Sequence, residues 1–337
     1  MLVEGTILSG PNFEPVEGRV VVEDGTITAI EEESVSSSNI VCPAFVNAHT
    51  HIGDSIAKEA GAGLSLEELV APPDGLKHRL LRETSREKKV EAMRRSLQFM
   101  QATGTASFLE FREGGVEGVY ALREAVEGLD IDPFILGRET VDAMEAADGF
   151  GASGANDAEF ARERTATKRA EKTFGIHAGE ADSSDINPAL DLSPDFLVHV
   201  VHPEPIHLDR IEHSEIPIAV CPRSNLVTGV GMPPIRDLLE RTTVALGTDN
   251  VMLNSPSMFR EMEFTAKLTD IAPREVLRMA TQNGARIVGL NCGVVEPGRD
   301  AKLLVLDGDS DNLAGNRDVV RSVVRRAGAN DVTDVVL

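Results

Sequence analysis

Two histidines one residue apart, His49 and His51, close the apolar run "PAFVNAHTH". In an extended strand residues i and i+2 share a face, so both imidazoles can aim at one point. An HxH triplet alone says little, since such pairs also arise in packed cores. Three further polar residues sit near the ends of apolar runs: His177 in "TFGIHAG", His199 in "FLVHVVH" and Asp249 in "TVALGTD". An unpaired polar group in an apolar strand is expensive, and a lone histidine there is usually a satisfied core residue. Four histidines and an aspartate together point instead to a metal. Imidazole and carboxylate donors without thiolates suit one Zn²⁺, with Fe²⁺ or Mn²⁺ as substitutes. A metal held by neutral histidines lowers the pKa of its water and supplies hydroxide, and Asp249 can take the released proton. The alternative for Asp249 is a helix N-cap. Glu180, three residues after His177, by itself reads as a surface carboxylate after a strand.

Arg112, Arg138 and Arg223 each follow an apolar run. Arginine forks bind carboxylate or phosphate bidentately, which would suit an anionic group on a small substrate. Pairing with Glu110, Glu113 or Glu139 is the equal alternative. The stretch 60–81 is long enough for a lid, with Lys77 and His78 within it. His202, His207 and His213 carry no assigned role.

The elements that must position these residues repeat in a regular rhythm. Short apolar runs at 105–111, 133–139, 149–154, 173–180, 195–202, 216–222 and 243–250 follow "NIVCPAFVNAHTH". Amphipathic stretches at 86–101, 157–172 and 274–290 lie between them. Eight alternating units predict an α/β fold, a (β/α)₈ TIM barrel whose chemistry gathers at the C-terminal ends of its strands. Residues 2–32 and 294–307 are instead short alternating strands with "DG" and "GP" turns, and 318–332 reads similarly with more ambiguity. The expected division is therefore 1–43 and 294–337 as a small discontinuous β-sandwich around a barrel of residues 44–293.

"PAFVNAHTH", "HAGE", "VH", "GTD" and the tail "GVVEPGRDAKLLVLD", in this order over nearly the whole chain, resemble the amidohydrolase superfamily. In detail the chain is similar to the metal-dependent deaminase and chlorohydrolase branch, with its cytosine, guanine and adenosine-type deaminases. The resemblance implies that His49, His51, His177 and Asp249 bind one metal. It makes Glu180 the proton shuttle and lets His199 orient the attacking water or the substrate. Binuclear branches carry a carboxylated lysine on strand four, and segment 140–156 has no lysine, which favours a single ion. The segment "CPRSNLVTG" resembles a pocket-lining loop of adenosine-type deaminases and offers Ser224 and Asn225 as substrate contacts. The expected reaction is hydrolytic deamination of a nucleobase, nucleoside or related N-heterocycle. The alternatives are hydrolysis of another C–X bond, as in a chloro-heterocycle, cyclic amide or imide, and a catalytically silent binding barrel. One tyrosine, no tryptophan and twelve phenylalanines leave little to stack on a purine.

Three cysteines, Cys42, Cys221 and Cys292, are too far apart for a zinc knuckle or a disulfide framework and read as small core residues. No secretion signal or membrane-length apolar run is evident, so a cytoplasmic enzyme is expected, compatible with a homo-oligomer. Fifty-five acidic residues against 33 basic ones give a net charge of −22, and only 8 of the basic residues are lysine. Such a field repels nucleic acid and anionic membranes. It also suits a high-salt, halophilic cytoplasm, where molar salt shortens the screening length to about 3 Å. The melting temperature is accordingly expected to rise between about 0.1 M and multimolar KCl. A melting temperature independent of salt would leave the acidity without that explanation.

Overall fold

The computed structural model describes residues 1–70 and 74–337; residues 71–73, inside the stretch 60–81 read as a lid, lie outside the described residues. The N-terminal residues build β1 (Leu2–Ser9), β2 (Glu14–Glu23), β3 (Thr26–Glu32) and β4 (Ile40–Pro43). The central chain supplies β5 (Phe45–His51), β6 (Thr105–Arg112), β7 (Asp132–Gly137), β8 (Gly149–Ala152) and β9 (Thr173–Ala178). It continues with β10 (Phe196–His199), β11 (Ile218–Val220), β12 (Val244–Leu246) and β13 (Asp249–Asn250). The C-terminal end returns with β14 (Leu303–Leu306) and β15 (Val332–Val336).

β5 to β13 form one parallel sheet in the order β12-β11-β10-β9-β8-β7-β6-β5-β13. β12 and β13 are two pieces of the single run 244–250. Gly247 N bonds Val220 O in β11, and Thr248 N bonds His49 O in β5, so the sheet curls until its last strand meets its first. This is the TIM-like barrel expected from the rhythm of the sequence. β5 and β6 are buried along their whole length, as parallel strands covered on both faces must be. The helices between strands obey the same logic. Arg86–Ala102 starts at Ser85, whose hydroxyl accepts from Lys88 N, and buries Met93, Leu97 and Met100 on one stripe.

Three expectations are corrected. "NIVCPAFVNAHTH" is two strands rather than one: β4 pairs with β1 and β14, while β5 enters the barrel. Pro43 closes β4, having no N–H for a continued ladder. The amphipathic stretch 274–290 is also two helices, Pro273–Ala280 and Gln282–Val288, broken at Thr281 (φ −133°, ψ −89°). The second helix sits so close to β5 that a Cβ on Gly284 would lie 2.9 Å from Val46. The ambiguous C-terminal strand is the helix Val319–Arg325, capped by Asp318, whose valines pack toward the helices Met258–Leu268 and Pro273–Ala280.

The two chain ends do share a layer, a six-stranded sheet in the order β15-β14-β4-β1-β2-β3. Its apolar face gathers Val3, Ile7, Val20, Val22, Ile27, Val41, Leu303 and Val305 into a separate cluster. The described strands of the two ends form this one sheet, and a second facing sheet to make a sandwich is absent among the described residues. All three cysteines are buried and free. Among the described residues no helix is long and apolar enough to cross a membrane.

Closure of the barrel sets a tight tolerance at the first histidine. A Cβ on Gly247 would lie 2.7 Å from His49 Cβ and 2.8 Å from His49 N. Gly247→Ala is therefore expected to lower stability by about 1–3 kcal/mol through overpacking and to push His49 out of line. Thermal or urea unfolding together with a metal titration measures both effects, and an unaltered protein would show that the seam is looser than these distances.

Candidate metal-binding active site

The strand ends bring the distant donors together. His49 and His51 end β5, His177 lies in β9, His199 is the last residue of β10, and Asp249 opens β13. His49 Nε2 is 3.2 Å from His177 Nε2 and 3.3 Å from Asp249 Oδ1. His51 Nε2 is 3.6 Å from the same Oδ1. Donor atoms of His49, His177 and His199, of His49, His51 and Asp249, and of Glu180, His199 and Asp249 form three overlapping groups, each within 4.8 Å. Asp249 is strand residue rather than helix cap.

The far side of each ring decides what its near side offers. His177 Nδ1–H donates to Ala152 O (2.8 Å), and His51 Nδ1–H donates to Glu113 Oε1 (2.8 Å). Each therefore turns an unprotonated Nε2 inward. Ser224 Oγ donates to Asp249 Oδ2 (2.5 Å) and leaves Oδ1 facing the imidazoles. The inward lone pairs of His51 and His177 and the Asp249 oxygen outnumber the one proton that His49 Nε2 could supply, a cation between them would relieve that crowding, and all-nitrogen-and-oxygen donors suit Zn²⁺. The residues fit a divalent metal. His49 Nδ1 is buried without a partner among the described residues.

Burial sets the charge states. It lowers the His49 and His177 rings below their usual range and His51 to about 3, so all three rings are neutral. Burial alone would raise Asp249, but the His49 hydrogen bond and nearby imidazoles hold it well below the usual carboxylate range. Glu180 is raised by burial, partly offset by His199, whose Nε2 is 3.6 Å from Glu180 Oε2. Asn225 Nδ2 lies 3.1 Å from His199 Nδ1 and 3.5 Å from Glu180 Oε1, tying the two together.

A cavity of about 730 Å³ opens over this cluster, lined by His51, Lys77, His78, Arg138, His177, Glu180, His199, His202 and Asp249 among others. Of the three arginines only Arg138 reaches it, while donating to Glu113 Oε1 (2.9 Å). Arg112 is buried and pairs with Glu110 (3.4 Å); Arg223 is buried and pairs with Glu261 (2.6 Å). Both thus take the ion-pair alternative. Ser224 and Asn225 are fully buried behind the cluster, where they hold Asp249 and His199. Sequence reasoning named Glu113 only as a partner for an arginine, placed Lys77 in the candidate lid and did not single out Asp54. Lys77 is buried, with Nζ 3.0 Å from Asp54 Oδ2 and 2.8 Å from Glu113 Oε1. The signal was faint: a lone lysine in a lysine-poor chain and a glutamate just past β6. His207, also unassigned, is buried and caps its helix by accepting from Glu204 N.

The depressed histidines give a pH dependence with a definite sign in chelator-stripped protein. Above the ordinary value of 6.5 these rings are neutral folded and unfolded, and their contribution is flat. As pH falls below 6.5 toward 3, the unfolded chain gains protons that the folded His51 ring refuses, and stability drops. The slope is up to about 1.4 kcal/mol per pH unit for each ring. Urea unfolding at about pH 7 and pH 5 is expected to give a smaller decline in His51→Gln than in the parent. Equal declines would mean that His51 titrates normally in the fold.

Comparison with known proteins supplies the family. A model of the amidohydrolase family matches residues 40–193 and 161–337. A Methanothermobacter thermautotrophicus protein, provisionally named an aminohydrolase, is 37% identical over 99% of this chain and 96% of its own length. The 5-methylthioadenosine/S-adenosylhomocysteine deaminase of Halobacterium salinarum is 27% identical over 99% of this chain and 90% of its own. In fold, a zinc-bound adenosine deaminase from Xanthomonas campestris is similar, with a TM-score of 0.84 at 18% identity, covering 99% of this chain and 90% of that one. The resemblance carried by "PAFVNAHTH", "HAGE" and "GTD" is borne out, and the chain belongs to the amidohydrolase family.

Proposed function

We propose that this protein is a mononuclear metal-dependent aminohydrolase that deaminates a nucleobase, nucleoside or related N-heterocycle. One observation carries the reading: His49 Nε2 lies 3.2 Å from His177 Nε2 and 3.3 Å from Asp249 Oδ1, beneath a cavity that Glu180 and His199 also line. His49, His51, His177 and Asp249 would hold one divalent cation, zinc first, with iron or manganese as substitutes. When bound, the cation supplies Lewis acidity and lowers the pKa of a water in the site.

The remaining steps belong to the chain. Asp249, ionised and steered by Ser224, accepts the proton of the attacking water. Glu180, whose buried carboxyl holds its proton to higher pH than usual, protonates a ring nitrogen beside the attacked carbon and then serves the departing amine. His199, held through Asn225, orients water or substrate at the same wall. Arg138 is the arginine retained as a substrate contact, being the one of the three that lines the cavity. Among the described lining residues there is no phenylalanine, tyrosine or tryptophan, so a purine would stack on histidine rings such as His78 or His202. The name of the Halobacterium relative makes adenine nucleosides with a 5′-thioether the first substrates to try. The enzyme is further proposed to be cytoplasmic and salt-adapted, with its barrel spanning 44–293 between the flanking units 1–43 and 294–337.

The test is ammonia release from purines, pyrimidines, pterins and their nucleosides by zinc-loaded protein in molar KCl. At least one of these is expected to release ammonia, and Glu180→Gln is expected to lower kcat by at least about 10²-fold while still binding one metal per chain. Ammonia release at the parent rate in that variant would remove Glu180 as the proton carrier. Release of chloride from a chloro-heterocycle in place of ammonia would transfer the site to another C–X bond. Well-folded protein that takes up no metal would leave a silent barrel.

A further inference from the structure

We propose that Glu113 is a positioning residue that fixes the tautomer of His51 against the competing pull of Lys77. The inference rests on the reading of His51 as a metal ligand. Three donors converge on one oxygen, Glu113 Oε1: His51 Nδ1 at 2.8 Å, Lys77 Nζ at 2.8 Å and Arg138 at 2.9 Å. Glu113, Lys77 and His51 are each less than 5% exposed, so the contacts among these three are only weakly screened by solvent.

The decisive distance is between two of the donors. Lys77 Nζ stands only 3.3 Å from His51 Nδ1. A lysine ammonium has three N–H donors and no acceptor, whereas a neutral imidazole nitrogen can be either. If Lys77 donated to Nδ1, the ring proton would have to sit on Nε2, the nitrogen that faces Asp249 Oδ1 at 3.6 Å. That tautomer presents N–H where a ligand needs a lone pair. Glu113, seated between the two, accepts from both and keeps the proton on Nδ1. It is a carboxylate behind a histidine, as outer carboxylates commonly are at metal sites, but with a built-in antagonist beside it.

Lys77 has its own reason to be there. Its helix, Leu76–Glu83, comes after Ser65, Glu67 and Val70, which line the cavity, and its ammonium joins buried Asp54 (3.0 Å) to Glu113. The same lysine that ties that helix to the barrel thus threatens the ligand, and Glu113 separates the two effects.

The antagonism gives a test with a distinctive sign. Cobalt binding is followed by visible absorption and by competition with a chromophoric chelator in the parent, Glu113→Met, Lys77→Met and the double variant. Glu113→Met is expected to weaken cobalt binding by about 10–100-fold. Lys77→Met added to Glu113→Met is expected to recover part of that loss, although it removes a second buried partner. Parent-like affinity in Glu113→Met, or a double variant no better than Glu113→Met, overturns the proposal. Nitrogen-15 NMR of histidine-labelled, metal-stripped parent needs no variant to fold: His51 is expected as the Nδ1–H tautomer. An Nε2–H tautomer overturns the proposal even where the parent binds cobalt well. A parent that binds no cobalt overturns the metal reading itself, and this proposal with it.

Discussion

The structure is organised around one awkward burial. Imidazole nitrogens and a carboxylate are brought within hydrogen-bond distance of one another at the end of an apolar barrel. Polar atoms in such a place are tolerable only when each finds a partner. For every group but His49, whose Nδ1 has no partner among the described residues, the chain meets this by satisfying the outer side and leaving the inner side open. His177 leans on a carbonyl of β8, His51 on Glu113, Asp249 on Ser224, and His199 on Asn225. These partners come from other segments than the groups they hold, Ser224 and Asn225 from the helix Pro222–Thr228. Only a barrel, whose strand ends form a ring, lets five segments supply an inner and an outer shell at once.

Charge follows the same division between outside and inside. The net charge of −22 belongs mostly to the solvated surface. Within the barrel mouth, scarce cations are placed one by one against carboxylates: Lys77 with Asp54 and Glu113, Arg112 with Glu110, Arg138 with Glu113, Arg223 with Glu261. Such buried pairs contribute little net stability, because desolvation offsets most of their attraction, but each partner becomes costly alone. They fix geometry more than they add strength. Glu110 shows the balance: burial drives its carboxyl up to about 7 in spite of Arg112 and bonds from Thr50 and Ile52.

Legibility in the sequence tracks the range of the interaction. The HxH pair, "HAGE" and "GTD" were readable because strand periodicity and apolar context are local, and the barrel rhythm follows from the same signals. The breaks were not. Whether Pro43 ends one strand or interrupts it depends on where β14 lies, and β14 is some 260 residues away. The break at Thr281 answers to how closely Gly284 must approach Val46. The arginines were ambiguous for the same reason: "EFREGG" and "CPRSN" each place a guanidinium past a strand, but nothing local says that Glu261 waits for Arg223. Ser224 and Asn225, read as substrate contacts, are buried and hold Asp249 and His199.

Backbone strain marks where local preference gave way. His199, Val200 and Asp249 adopt left-handed φ values of 75°, 50° and 58°, which cost non-glycine residues about 1–3 kcal/mol each. Such conformations persist only when surrounding contacts over-determine them. Val200 N and Val201 N are held by Ala178 O and Gly179 O, next to His177 and Glu180. Thr248 is clamped from three directions by Asn47 and His49: Thr248 N donates to Asn47 Oδ1, Asn47 Nδ2 donates to Thr248 Oγ1, and Thr248 N also meets His49 O. Asn47 stands two residues before the first histidine, where the register of β5 against β6 shifts. It joins the first strand of the barrel to the last at the position that aims Asp249. The strain at Asp249 is thus sustained by the seam that closes the barrel, so closing the fold and aiming the carboxylate are one event.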